Sequence, residues 1–129
     1  MGKKKLKILM AKMGFDCHDR GIRSLCQLLR DKGIEVIYIG LHNSAEDIWR
    51  AAVEEDVDVI GLSFLSGQHL TQTGKLTNLL KEKGANFKVI VGGVIPQTDV
   101  QLLKDIGVAE VFTPGTTSDE IVKWLEQNA

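Results

Sequence analysis

Val57-Asp58-Val59-Ile60-Gly61-Leu62 is a β-branched run that carries one charge. It is too short for a helix of ordinary length and reads as a central strand, buried on both faces. Four similar runs lie on either side of it: Leu6 to Met10, Glu35 to Ile39, Lys88 to Val91 and Glu110 to Phe112. Between them the apolar residues change to helical spacing. Ile22, Leu25, Cys26, Leu28 and Leu29 share one face before Lys32-Gly33, a C-terminal stop. Ser44 is placed to cap a helix, with Asp47 three residues on and Ile48, Ala51, Ala52 and Val53 as its stripe. Leu76, Leu79 and Leu80 precede Lys83-Gly84. Val100, Leu102, Leu103 and Ile106 precede Gly107. Ile121, Val122, Trp124 and Leu125 form the last helix, capped by Thr117 or Ser118.

Strand and helix alternate throughout, so parallel strands with right-handed crossovers follow. The expected fold class is α/β: a single doubly wound domain of flavodoxin/Rossmann-like type, with a five-stranded parallel sheet over residues 1–129. The 129 residues suffice for one domain with its own core. Apolar residues at 43% and charged residues at 26% fit a globular chain. A net charge of −1 gives no general attraction to nucleic acid or to an anionic membrane, so neither is expected as a partner. The basic group Lys3, Lys4, Lys5 and Lys7 reads as a solvated entry to the first strand. No apolar run is long enough to span a bilayer, and no signal-peptide pattern is seen, so a cytoplasmic location is expected. Cys17 and Cys26 are too few for a disulfide framework or a zinc site, and both are expected as free thiols.

Open parallel sheets bind ligands at the carboxyl ends of their strands. The loops beginning at Ala11, Gly40, Phe64, Gly92 and Thr113 are therefore the ones to inspect. The first is long and polar: Ala11-Lys12-Met13-Gly14-Phe15-Asp16-Cys17-His18-Asp19-Arg20-Gly21. Asp16 and His18 are two apart, which lets the carboxylate hold one ring nitrogen while the other faces a metal. Lys12 lies close enough in sequence to pair with Asp16. The competing reading, which spacing alone favours, is that Asp16 caps a loop and His18 is an exposed surface histidine. One histidine and one aspartate cannot make a zinc site, so a metal here would need a macrocycle for its other ligands.

The third strand ends in Ser63-Phe64-Leu65-Ser66-Gly67, where the Ser63 hydroxyl stands at the sheet edge and by itself reads as satisfying backbone at a strand end. Gly92-Gly93 allows close approach of a flat or bulky ligand, or is a tight turn. Thr113-Pro114-Gly115-Thr116-Thr117 is a phosphate site before a helix, or a helix-capping turn. All these loops fall at one edge of the sheet. That edge should form a wide groove without charged walls, suited to a long, largely neutral cofactor with one phosphate.

The pattern resembles the cobalamin-binding domain of the adenosylcobalamin-dependent acyl-CoA mutases. The D-x-H-x-x-G element appears as Asp16-Cys17-His18-Asp19-Arg20-Gly21, S-x-L as Ser63-Phe64-Leu65, and G-G as Gly92-Gly93. The match spans nearly the whole chain. Ala11-Lys12-Met13-Gly14 and Val91-Gly92-Gly93-Val94-Ile95-Pro96 are most similar to the methylmalonyl-CoA mutase group, and the length is similar to that of small subunits of split mutases, including the 2-hydroxyisobutyryl-CoA type.

The resemblance implies that His18 replaces the cofactor's own base as lower axial ligand of cobalt, so that the cofactor is held base-off. Asp16 would hold the other ring nitrogen, with Lys12 against Asp16. Asp19, Arg20 and Gly21 complete the loop motif. Ser63 would meet the displaced base, Leu65, Gly92 and Gly93 would line the slot for the nucleotide tail, and Gly115 and Thr116 would lie near its far end. Cys17 stands where relatives usually carry glycine. No thioester site is visible, so an isomerase of this kind would need a large substrate-binding subunit to hold the acyl-CoA. The chain would act only as part of that heteromer. Two other readings compete. One is a corrinoid carrier for methyl transfer, which usually has an additional N-terminal helical bundle. The other is a sensor or phospho-receiver, which would want an aspartate where Ser63 stands.

Overall fold

The structure is a computed structural model and describes residues 5–14, 20–64 and 67–129. Five parallel strands form one sheet in the order β2-β1-β3-β4-β5. They are β1 (Lys7–Ala11), β2 (Glu35–Tyr38), β3 (Val59–Phe64), β4 (Lys88–Gly93) and β5 (Glu110–Phe112). The connecting helices are α1 (Arg20–Asp31), α2 (Ala45–Glu55), α3 (His69–Glu82) and α4 (Val100–Asp105), the last preceded by a 3₁₀ turn over Gln97–Asp99. Helix α5 (Ser118–Asn128) closes the chain. This is the flavodoxin-like doubly wound order, with its reversal between β1 and β3.

Alternating side chains divide the core in two. Leu9, Ala11, Ile60, Leu62, Phe64 and Val91 pack towards α2, α3 and α4, around Ile48, Leu76 and Leu103. Ile8, Met10, Val59 and Ile90 pack towards α1 and α5, around Ile22, Leu29, Ile121 and Leu125. Central strands buried on both sides explain why β3 has almost no polar residue.

Two helix starts follow their expected caps. Ser44 Oγ accepts from Asp47 N at 3.1 Å, and Asp47 Oδ2 accepts from Ser44 N at 2.9 Å, a reciprocal box. Thr117 Oγ1 accepts from Glu120 N at 3.1 Å. Strand bounds differ in places. Val57 and Asp58 precede β3, because Asp56 ends α2 in a left-handed turn at φ +52° and Val57 N still bonds Ala52 O. Ser63 is the penultimate residue of β3 instead of its last. β4 runs on through Gly92 and Gly93, which pair with Ser63 and Phe64. Leu28, Val53 and Leu102 lie on the expected apolar stripes, yet each is about half exposed. Among the described residues no helix is long and apolar enough to cross a membrane.

Candidate functional site

A groove of about 440 Å³ opens on the α1/α5 side of the sheet, at the carboxyl ends of β3, β4 and β5. Gly61, Ser63, Gly92 and Gly93 form its floor. Ile22, Leu25 and Leu29 of α1 form one wall, and Phe112 with Thr113 to Thr116 and Ile121 form the other. Among the described residues no ionisable side chain lines it.

The floor is flat for a structural reason. Gly61 has no side chain because a Cβ there would run into the Met10 sulfur of β1. At Gly93 the backbone takes φ +110°, and a Cβ would overlap the main chain of Phe64. Val94 N then bonds Phe64 O at 2.9 Å, holding the two strand tips together. At Gly93 the close approach is one of backbones, between β3 and β4.

The fifth loop is a capping turn. Thr116 N and Oγ1 both donate to Thr113 O, at 3.1 and 2.8 Å, and Thr117 caps α5. Gly115 and Thr116 still line the groove, and so does Gly21 of α1. Thus Gly21, Ser63, Gly92, Gly93, Gly115 and Thr116 are brought to one site. Arg20 is not. It lines a second groove between α1 and Tyr38 of β2, with Arg23, Arg30 and Cys26. Burial there raises the Cys26 thiol pKa, against smaller opposing effects of nearby Arg30 and the residue's own backbone N–H. Asp16, Cys17, His18, Asp19 and Leu65 lie outside the described residues, and with them the proposed pairing of Lys12 with Asp16.

Lys12 itself is wholly buried. Its Nζ donates to Ser63 O at 2.9 Å, which ties the root of the first loop to the end of β3. A buried ammonium is tolerated only with such acceptors.

Reading the sequence missed the pair His69–Asp99. His69 Nε2 donates to Asp99 Oδ2 at 2.7 Å behind the Phe64 ring, joining the start of α3 to the 3₁₀ turn after β4. His69 Nδ1 and Thr73 Oγ1 are buried and have no hydrogen-bond partner among the described residues. The partners are 30 residues apart, and no local spacing signals the contact.

The B12 binding domain family matches residues 6–123. The chain belongs to the B12-binding domain family. Among relatives, the 2-hydroxyisobutanoyl-CoA mutase small subunit of Aquincola tertiaricarbonis is 44% identical over 118 residues, covering 91% of this chain and 87% of that one. The pivalyl-CoA mutase small subunit of Xanthobacter autotrophicus is 41% identical over 123 residues, 95% of this chain and 82% of that one. Both are mutase small subunits, as the sequence resemblance implied, which favours that reading over the methyl carrier. A cobalamin-binding protein of Desulfitobacterium hafniense superposes with a TM-score of 0.82 at 25% identity, covering 96% of this B12-binding domain and 59% of that chain.

Proposed function

We propose that this B12-binding domain is the small subunit of an adenosylcobalamin-dependent acyl-CoA mutase. It would hold the cofactor base-off, with His18 as the lower axial ligand of cobalt. The observation that carries the proposal is the groove at the strand tips, lined by Ser63, Gly92, Gly93, Gly115 and Thr116 and, among the described residues, by no charged side chain.

The groove fits the tail of the cofactor on two counts. At Gly92, where a Cβ would make only ordinary contacts, the floor is bare backbone against which a planar base can lie. Its walls are aliphatic and aromatic, so a displaced base is buried without meeting a charge. Gly21, at the start of α1, brings the end of the His18 loop to the groove's rim. Ser63 offers a hydroxyl at the floor. Gly115 and Thr116 stand at the far wall, where the sugar and phosphate part of the tail would lie.

When bound, adenosylcobalamin supplies the radical chemistry of a carbon-skeleton isomerisation. The chain's own part is to bind, to orient and to ligate. His18 would donate a lone pair from one ring nitrogen, while Asp16 would accept a hydrogen bond from the other nitrogen's N–H and so fix the tautomer. The acyl-CoA would be held by a large partner subunit that also covers the upper face.

The test is electron paramagnetic resonance of the cobalt(II) form bound to protein carrying ¹⁵N-histidine. Splitting from a histidine nitrogen is expected in the parent protein and is lost in His18→Ala. Splitting that persists in His18→Ala removes His18 from the role. A spectrum showing the cofactor's own base still coordinated overturns the proposal.

A further inference from the structure

Beyond Ala11 the chain keeps pairing with the loop between β2 and α2. Lys12 N donates to Gly40 O at 3.1 Å, and Asn43 N donates to Lys12 O at 3.0 Å. Met13 and Asn43 form an isolated parallel bridge. The Asn43 side chain adds two more bonds, from Nδ2 to Lys12 O at 3.1 Å and to Gly40 O at 2.8 Å. This ladder brings His42 against the root of the first loop. The His42 ring Nδ1 lies 2.9 Å from Gly14 O. A carbonyl only accepts, so Nδ1 carries the proton and donates.

Two features set this contact apart from ordinary loop packing. His42 holds φ +59°, one of two positive values among the described non-glycine residues. Its side chain is exposed, so the hydrogen bond competes with water and adds little to folding. A strained backbone held for a weak bond is not explained by stability, and such strain concentrates at functional sites. What the bond does fix is the carbonyl of Gly14, two residues before Asp16 and four before His18. On the opposite side the same root is held by Lys12 Nζ on Ser63 O. A Cβ on Gly14 would also strike the Gln68 and Gln72 side chains of the α3 start.

We propose that His42 is a positioning residue for the loop that bears His18, with Asn43 holding its strained turn in place. The proposal rests on the reading of His18 as the cobalt ligand. A single imidazole on a loop must be ordered before it can ligate, and every degree of freedom already removed at the root lowers that cost. His42 and Lys12 hold the root from both sides, through Gly14 O and Ser63 O.

Two substitutions separate positioning from folding. His42→Gly accepts φ +59° without strain and lacks the donor. His42→Asn tolerates the same φ and presents Nδ2 close to where the ring nitrogen lies. Each full-length variant is tested with cobalamin for binding and, as the cobalt(II) form, for ¹⁵N-histidine splitting. Thermal unfolding without cofactor is measured alongside. His42→Gly is expected to weaken cobalamin binding about tenfold and to reduce the share of cobalt showing histidine splitting. Its cofactor-free midpoint should be equal to the parent's or higher, and His42→Asn should restore both cobalamin readouts. Parent-like binding and splitting in His42→Gly overturn the proposal, as does a large fall in its midpoint or a failure of His42→Asn to restore. If the parent protein itself shows no histidine splitting, the His18 reading fails first and this one falls with it.

Discussion

At Gly93 the backbone turns to φ +110° with the main chain of Phe64 where a side chain would be. An alanine there meets both a strained conformation and a backbone collision that no rotamer relieves. Gly93→Ala is expected to cost at least about 2 kcal/mol in urea unfolding and to open the tips of β3 and β4, so cobalamin binding should fall as well. Gly92 pairs with Ser63 without such crowding: a Cβ there makes only ordinary contacts with Phe112. Gly92→Ala should therefore leave stability nearly unchanged while narrowing the groove. Parent-like stability in Gly93→Ala would show that the two glycines are not distinguished in this way. The G-G motif was visible in the sequence, but the different duties of its two members were not, because they depend on which strand lies beside each.

Helix α2 shows what local chemistry contributes to an element. The Ser44–Asp47 box closes two backbone donors that would otherwise face water at the helix start. Ser44→Ala is expected to cost about 1 kcal/mol, read from denaturant midpoints. Asp47 is held below the usual carboxylate range, first by the Ser44 backbone N–H and then by the Ser44 side chain. A carboxyl depressed in the folded state contributes stability above its unfolded value, and that stability fades as pH falls through the folded one. Asp47→Asn should thus be less stable than the parent near neutrality, with the difference shrinking as pH falls below the usual carboxylate range and through the lowered folded value. A difference unchanged by acid would mean the box acts by shape and not by charge. This box, and the Thr117 cap of α5, were legible because capping is a contest among neighbours in the chain. The bounds of β3 and β4 were not. They depend on the left-handed exit of Asp56 and on pairing across strands.

For the whole molecule, the expected behaviour is that of half an enzyme. The purified chain should bind cobalamin, and it should isomerise no acyl-CoA until a large subunit is added. Turnover measured by product formation, with and without that subunit, checks this. Activity of the chain alone would refute the division of labour. Five apolar runs alternating with helical stripes were enough to set the parallel sheet, because hydrophobic period and crossover handedness leave few other arrangements. The edge on which the loops gather follows from that topology. Amino-acid order also carried the motif residues and the family they resemble. The remainder needed the folded chain. Arg20 left that groove for the one between α1 and β2, Lys12 proved wholly buried, and His42, Asn43 and the His69–Asp99 pair appeared as braces around the strand tips. Each joins residues about 30 or more positions apart, apart from the displacement of Arg20, which is set by the rotation of a helix about its axis. Propensity, period and capping act over a few residues. A hydrogen bond between distant loops exists only after the core has brought them together.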